Sequence, residues 1–584
     1  MGMAMITNVA LIVCALLVAS GLGTNAMTYD YSANTECLVK PESAQYKGGI
    51  IENPELNDGL KGWFPFGSAK IEHREESNGN VFIVAHTRNH SYDTLSQTLH
   101  LHSNIIYTFS AWVQVNEGKA DVAAVIKTKR GYEHVAATTA QSNCWSFFKG
   151  GLTVTEPGPV ELYFESNNTN VEIWMDSVSL QPFTQEQWRA HQDQAIEKYR
   201  KRTVKIQVLN KEGYPLPNVT ISLGQWRPGF PVGCAINRNI LNNFPYQNWF
   251  LSRFTTTTFE NEMKWYSNEQ TRGHVDYSVS DAMIYFTKQH NIAVRGHNVF
   301  WNDPQYVQGW VKSLSNTDLY RAARRRLDSV MSKYRGQVIA WDVENENLHF
   351  NFFESKLGWP ASGLFYNWAM KADQSIPLFL NEFNTIESSG DAASSPARYL
   401  QKLDAIRKFP GNSDARFAIG LESHFGPSPN LAYMRSAIDT LGSAGVPIWL
   451  TEVDVSNSAN QAYDLEQVLR EGFSHPKVNG IVIWSAWAPW GCYRMCLTDN
   501  NFNNLPTGDV VDKLLKEWGI KGSITATTDS NGFFETSLFH GEYEMKILHP
   551  SVTESSINAQ KFSVLPGSEG ESEQQSPLLI QVEV

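Results

Sequence analysis

Two glutamates stand in settings suited to a hydrolytic carboxylate pair. Glu346 closes the run Trp341-Asp342-Val343-Glu344-Asn345-Glu346, and Glu452 lies within Leu450-Thr451-Glu452-Val453-Asp454. Cleavage of a glycosidic bond with retention needs one protonated and one ionised carboxyl, ~5–5.5 Å apart. Glu346 would serve as acid/base and Glu452 as nucleophile. Asn345 can hydrogen-bond a sugar 2-hydroxyl, a contact that strengthens at an oxocarbenium-like transition state. His424 can donate to Glu452 and keep it ionised, with Asp454 holding the imidazole. Trp484 can floor a sugar site or be plain core. Any one of these residues alone is as readily a solvated loop group or a satisfied core residue.

What must position them is a set of repeated strand–helix units. Eight apolar runs begin at Phe230, Phe254, Ile292, Val338, Pro377, Phe417, Pro447 and Gly480, each followed by an amphipathic stretch. Val338 to Trp341 and Ile481 to Trp484 are continuously apolar, as strands buried on both faces should be. Eight units across 226–518 predict a closed (β/α)₈ TIM barrel rather than an open sheet. Six runs end in polar chemistry: Glu260-Asn261, His297-Asn298, Asn345-Glu346, Asn381-Glu382, Glu422-Ser423-His424 and Glu452-Val453-Asp454. Barrel active sites lie at these C-terminal strand ends. Glu346 and Glu452 are roughly three units of about 35 residues apart, which places them at strands four and seven, facing across the mouth.

The rest of the chain is mostly β. Residues 46–182 read as a β-sandwich of short strands between Gly, Asn and Pro turns, followed by a linking helix over 183–202. Segments 203–225 and 519–584 alternate and carry hairpin turns such as Asn531-Gly532. Neither has enough strands for a stable sheet, so they are expected to pair as one small β-sandwich with the barrel inserted between them. The alternative is an independent C-terminal β tail.

At 584 residues the chain exceeds one hydrophobic core. A net charge of −12 without a basic block argues against nucleic acid as partner. Residues 1–26 pattern as a signal peptide, although no Lys or Arg precedes the apolar stretch. No later segment has ~18 consecutive apolar residues, so no membrane association is expected after its removal, and the product should be secreted to the cell wall or apoplast. With Cys14 in the leader, Cys37, Cys144, Cys234, Cys492 and Cys496 remain. The odd count leaves a thiol over; Cys492 with Cys496, and Cys37 with Cys144, are candidate bridges. Zinc-ligand spacing is absent. Asn89, Asn167 and Asn218 head glycosylation sequons.

Five ordered runs resemble glycoside hydrolase family ten, in particular its plant endo-β-1,4-xylanase branch: Phe259 to Trp265, Arg295 to Asn298, Trp341 to Glu346, Gly420 to Phe425 and Leu450 to Asp454. So does Gly491-Cys492-Tyr493-Arg494-Met495-Cys496-Leu497-Thr498-Asp499. The resemblance implies that Glu260, Asn261 and Lys264 grip the glycone sugars. It also implies that His297, Trp301, Asn345, Glu422, His424 and Trp484 wall the cleavage site. Two positions depart from the usual pattern. Glu344 stands where Val or Asn is usual, so that Asp342, Glu344 and Glu346 are expected to crowd one strand face, and Glu422 stands where many bacterial members have Gln, although plant members resemble this chain there. The further Trp that caps the sugar site has two candidates, Trp487 and Trp490.

The N-terminal β domain resembles a family twenty-two carbohydrate-binding module, typically a xylan binder. That implies ligand contacts from Tyr92, Tyr163 and Glu165, with Tyr132 beside them. Asp176 is a candidate ligand of a structural calcium, as in related modules, although a strand-end Asp capping a turn has the same signature. No cofactor is expected for catalysis, and xylan or xylo-oligosaccharides are the expected partners. Transglycosylation, and a non-catalytic xylan-binding wall protein, are the competing functions; oligomeric state is not legible.

Overall fold

A computed structural model describes residues 27–548, 560–567 and 578–583. The proposed signal peptide, with Cys14, lies outside the described residues. None of the described helices is long and apolar enough to cross a membrane.

The central body is a closed parallel barrel. Its strands are Val232–Cys234, Thr256–Thr258, Ala293–Gly296, Ala340–Asn345, Leu378–Glu382, Phe417–Leu421, Ile448–Val455 and Val478–Ile483. The first pairs with the eighth and the third with the fourth, so no edge is left open. Two short segments, Phe300–Trp301 and His424–Phe425, add pairings at the mouth. Inside the barrel Ala340, Phe379, Ala418 and Trp449 pack together. The guanidinium of Arg295 lies 4.6 Å from the Phe379 ring centroid and pairs at 2.6 Å with Asp342. A cation buried in this layer needs that carboxylate, because unpaired charge in an apolar interior costs several kcal/mol.

Strand four contains a register shift between Asp342 and Glu344. It corrects the expectation that Asp342, Glu344 and Glu346 share one face. Asp342 stays with Arg295 and His297, whereas Glu344 accepts from Asn302 and Asn347. The extra residue turns Glu344 away, and burial there raises its carboxyl above the ordinary range.

The N-terminal module is a sandwich of two five-stranded antiparallel sheets, and the Cys37–Cys144 disulfide ties the segment that precedes it to the turn before strand Ser146–Thr153. It is seated firmly on the barrel. Strand Ser146–Thr153 lies against helix Leu431–Gly442, where Ser436 Oγ and Asn430 Nδ2 donate to the carbonyls of Gly150 and Gly151. A Cβ at Gly151 would lie 2.5 Å from that of Ala432, so glycine is what lets the backbones meet. Beside it Lys149 and Asp439, both 1% exposed, pair at 2.6 Å. Asp439 also takes a hydrogen bond from Tyr29 and faces His475 at 2.9 Å. Helix Gln185–Arg200 opens with a capping box between Thr184 and Gln187. Its Trp188 and Gln192 donate to Glu471, which Arg435 holds from the barrel side.

The segments flanking the barrel share two sheets. Lys201–Leu209 pairs with Phe533–Phe539 and Leu578–Glu583; Thr220–Pro228 pairs with Ser523–Thr527 and Gly541–Leu548. Val204, Ile206, Val208, Ile221, Leu223, Met545 and Ile547 form their common core. The first strand begins at Lys201, taking over the last residues of the expected helix. The clasp meets the barrel near Phe230, Phe473 and Asn479, at the N-terminal strand ends, opposite the mouth.

Ending the chain at Trp518 uncovers that common core. The truncated protein should melt roughly 5 °C or more below the intact one by scanning calorimetry. An unchanged melting temperature would show that the clasp adds no stability. At the module–barrel junction, Lys149→Met removes the cation facing Asp439. Urea unfolding should report a loss of about 3–5 kcal/mol, since the carboxylate is left buried with only polar partners.

Candidate active site

The mouth holds a cleft of about 530 Å³ that brings together Glu260, Asn261, Lys264, His297, Trp301, Asn345, Glu346, Glu422, His424, Glu452 and Trp484. Asp454 stands behind His424. With Phe383 and Asn384 from the loop after strand five, the ends of seven of the eight strand–loop units converge on one volume.

Glu452 is surrounded by positive charge. His424 Nε2 lies 3.6 Å from one of its oxygens and His297 Nε2 lies 3.8 Å from the other. Asn381 Nδ2 donates to it at 2.8 Å. Burial works to raise its pKa, but His297, His424 and Lys264 prevail and hold it down to about 2. Each histidine is backed by its own aspartate. His297 Nδ1 meets Asp342 at 2.9 Å, and His424 Nδ1 lies 3.1 Å from Asp454 as an ion pair out of line for a hydrogen bond. Burial opposes protonation of His424, yet Asp454 and Glu452 raise it to about 10. Among the described residues, Glu422, His424 and Glu452 are also the one group whose spacing suits a metal ion. An imidazolium there already supplies the cation.

Glu346 is in the opposite state. It lies just past strand four, at φ +60°, a conformation a β-carbon resists. Its backbone N–H donates to the Asn381 carbonyl, which fixes the kink. Burial, reinforced by the charges of Glu382 and Glu452, pushes it up to about 8. Asn345 Nδ2 donates to Glu346 and its Oδ1 accepts from Asn381, so an unbroken amide relay joins the two glutamates. Asn381, itself fixed by Thr451, was visible in sequence as a strand-end polar residue, but nothing there gave it a role.

Burial and the neighbouring glutamates drive Glu422 well above the ordinary carboxylate range. Burial also pushes Glu260 up to about 7, while Asn237 donates to it. Lys264 lies 4.3 Å from the Trp301 ring centroid and 5.8 Å from that of Trp484. Trp301 stacks on Tyr306 at 3.8 Å. Trp487 is buried against Tyr246 and Phe502 and Trp490 is 80% exposed; neither lines the cleft. Residues that sequence reasoning missed include Tyr266, Tyr306, Phe350, Phe383, Asn384, Tyr493 and Arg494. The last two come from the loop closed by Cys492–Cys496, and Arg494 Nε reaches Asp454 at 2.9 Å. Cys234 is the free, buried thiol.

On the module, Tyr92, Tyr132, Tyr163 and Glu165 gather on one sheet around Phe66. Tyr92 and Tyr132 are open, at 40% and 63% exposure. Tyr163 is not an open ligand platform, which corrects that expectation. It is 1% exposed because Phe66 stacks over it at 4.2 Å, and its hydroxyl donates to Glu165. The surroundings of Asp176 fit a buried hydrogen-bonded carboxyl rather than calcium. Its oxygens accept from Asn80 Nδ2 and the Ser177 N–H, and those of nearby Glu55 accept from Ala44 N–H and Ser177 Oγ. Ca²⁺ wants six to eight oxygen ligands, and proton donors occupy this site. Burial instead pushes Asp176 up to about 7. Asn89, Asn167 and Asn218 are all exposed.

Comparison with known proteins agrees with this arrangement. Residues 225–506 match the model of glycosyl hydrolase family 10, and residues 48–170 match a carbohydrate binding domain. Endo-1,4-beta-xylanase 5-like from Arabidopsis thaliana is 41% identical over 543 residues, spanning 91% of this chain and 92% of the relative. Endo-1,4-beta-xylanase 4 from the same plant is 38% identical over 572 residues, spanning 95% of each. The chain therefore belongs to glycosyl hydrolase family 10, with a carbohydrate-binding domain ahead of its barrel.

Proposed function

We propose that this protein is an endo-β-1,4-xylanase that cleaves xylan with retention, using Glu346 as acid/base and Glu452 as nucleophile. The single observation that carries the assignment is the opposite tuning of two glutamates joined by one amide relay, one held low and one pushed high. The substrate class follows the relatives, which are named endo-1,4-beta-xylanases.

The reaction draws on side chains and water alone. Glu452, ionised, attacks the anomeric carbon while Glu346 gives its proton to the departing glycosidic oxygen. The new ester removes the negative charge at position 452. Because that charge helps to keep Glu346 protonated, its loss lowers the Glu346 pKa and readies it to take a proton from water. Water then attacks the same carbon, the ester breaks, and Glu346 recovers its proton. Glu260, Asn261 and Lys264 lie on the glycone side. Tyr92, Tyr132 and Glu165 give the module a face for xylan, with Tyr163 supporting it from beneath. The leader pattern and three exposed sequons support secretion and glycosylation.

On xylan, Glu452→Gln should abolish turnover while leaving polymer binding intact. Glu346→Ala should lower kcat by about 10²–10⁴-fold on xylan, and far less on aryl xylosides whose leaving groups need no proton. Equal losses on both substrates would remove Glu346 from the acid/base role. NMR of the first-formed product should show the β-anomer. The wild-type rate should fall as pH rises through about 8, where Glu346 loses its proton, and its acid limb should reach towards 2, where Glu452 gains one.

A second measurement addresses the switch itself. Carbon-detected NMR titration of Glu346 in the Glu452→Gln protein should give a pKa below the wild-type value, because the charge that raised it has gone. An unchanged or higher value would mean that burial alone sets it.

A further inference from the structure

Three residues past Glu346 the loop carries His349, whose ring lies between two carboxylates. Its Nδ1 meets Glu382 at 2.7 Å and its Nε2 meets Asp391 at 3.0 Å. A neutral imidazole has a single N–H, so two carboxylate partners call for the doubly protonated ring. The ring also stacks on Phe383, with centroids 3.9 Å apart. Glu382 closes strand five and is fully buried. Leu348 N–H donates to one of its oxygens at 2.7 Å, and Phe383 N–H donates at 3.1 Å to the oxygen that meets His349. Among the described residues, His349 is the only cation within ion-pair distance of Glu382.

The bridge is built on the backbone that carries the acid/base. Glu346 N–H donates to the Asn381 carbonyl at 2.8 Å, and Leu348 N–H reaches the next residue, Glu382. Burial is the main influence that keeps Glu346 protonated. Of the two carboxylates that add to it, Glu382 outweighs Glu452, while Trp301 and Lys264 oppose them. Glu422 and Tyr306 also feel the charge of Glu346, and Tyr399 feels that of Glu382. The far end of the strand-five loop is fixed as well. Asp391 accepts from Asn384 Nδ2 at 2.8 Å and from Ala393 N–H at 3.1 Å, and Ser389 Oγ donates to the His134 carbonyl of the module.

We propose that His349 is a positioning residue for the acid/base: it holds Glu382 charged next to the Glu346 loop, and that charge helps Glu346 keep the proton it must donate. A buried carboxylate without its cation takes up a proton instead of staying ionised. Glu382 is already raised by burial, with His349 the main influence against it, so it goes neutral when the cation is lost. Removing the His349 charge therefore removes the Glu382 charge too, and the Glu346 pKa falls. In the intact protein burial opposes protonation of His349, yet Glu382 and Asp391 hold it up to about 9. That lies above the value of about 8 for Glu346, so the pair stays charged over the range in which the acid works.

The inference rests on Glu346 as acid/base, and the test separates the two. The basic limb of kcat/KM on xylan is measured for wild type, His349→Gln, Glu382→Gln and the double variant. Glutamine at 349 retains a donor but no charge; glutamine at 382 can still accept from Leu348 N–H. Each single variant should move the limb down by about 0.5–1 pH unit, and the double variant no further than either. An unmoved or raised limb in any of them overturns the inference, whatever happens to melting temperature or kcat, since a plain staple between loops has no hold on that limb. A double variant that shifts by the sum of the singles overturns it too, because His349 then acts by another route. Nitrogen-15 NMR of the wild-type protein needs no variant: both ring nitrogens of His349 should carry protons at pH 7, and a neutral ring overturns the role. A limb near 8 that persists in Glu346→Ala protein, read on an aryl xyloside, removes the acid/base reading itself.

Discussion

The structure is organised around one electrostatic problem, that of gathering glutamates at a barrel mouth without expelling them. Glu346 feels the charges of Glu382 and Glu452 there, and Glu422 feels those of Glu346, Glu382, Glu387 and Glu452. Four ionised carboxylates in a site of low polarity cannot coexist. The fold resolves this by distributing cations unevenly. Glu452 receives His297, His424 and Lys264; Glu382 receives His349, which is itself raised to about 9 against its burial by Glu382 and Asp391. Glu346 receives too little and is pushed up to about 8, and Glu422 is raised well above the ordinary range. The resulting pattern of charged and neutral acids is what a retaining hydrolase requires.

The same logic holds the domains together. Where the module strand and helix Gln185–Arg200 meet the barrel, Asp439 and Glu471 are buried, and cations and polar hydrogens converge on each from separate elements. Removing either side would leave a bare carboxylate, so the interface is hard to open even though buried ion pairs add little net stability once formed. Their value lies in fixing geometry. A module held by Gly150, Gly151 and Lys149 cannot swing on a tether.

Much of this was legible in the sequence. The periodic apolar runs gave the barrel, and the polar residues that end them gave Glu346, Glu452, His424 and their neighbours, because strand ends in a barrel converge whatever the loops do. Charge states were harder. That Glu422 would be raised depends on its burial and on how many carboxylates surround it, which spacing does not reveal. The bulge at Asp342 and Glu344 was hidden for a similar reason: alternation along a strand assumes a regular register, and one inserted residue reverses it. Tyr163 shows a third limit. A tyrosine on the ligand face of a sheet looks like a platform until a neighbour from another strand, here Phe66, lies over it. Arg494 and Tyr493 sit in a loop with no periodicity, and only the nearby cysteines hinted that it is fixed.

Glu422 shows how a departure from a family pattern can preserve its chemistry. By the family resemblance, many bacterial members carry Gln there, a neutral side chain with a hydrogen to donate, whereas plant members resemble this chain. A glutamate at pH 7 would ordinarily bring a full negative charge next to the nucleophile and weaken the attraction of His424 for it. Here burial and four neighbouring carboxylates, Glu346, Glu382, Glu387 and Glu452, push its carboxyl well above the ordinary range, so ionisation is disfavoured where it sits. Asn381 offers it an N–H at 3.3 Å, which a neutral carboxyl accepts equally well. The site thus works against the charge that this residue type would bring, and the environment, more than the residue type, decides which acid at this mouth reacts.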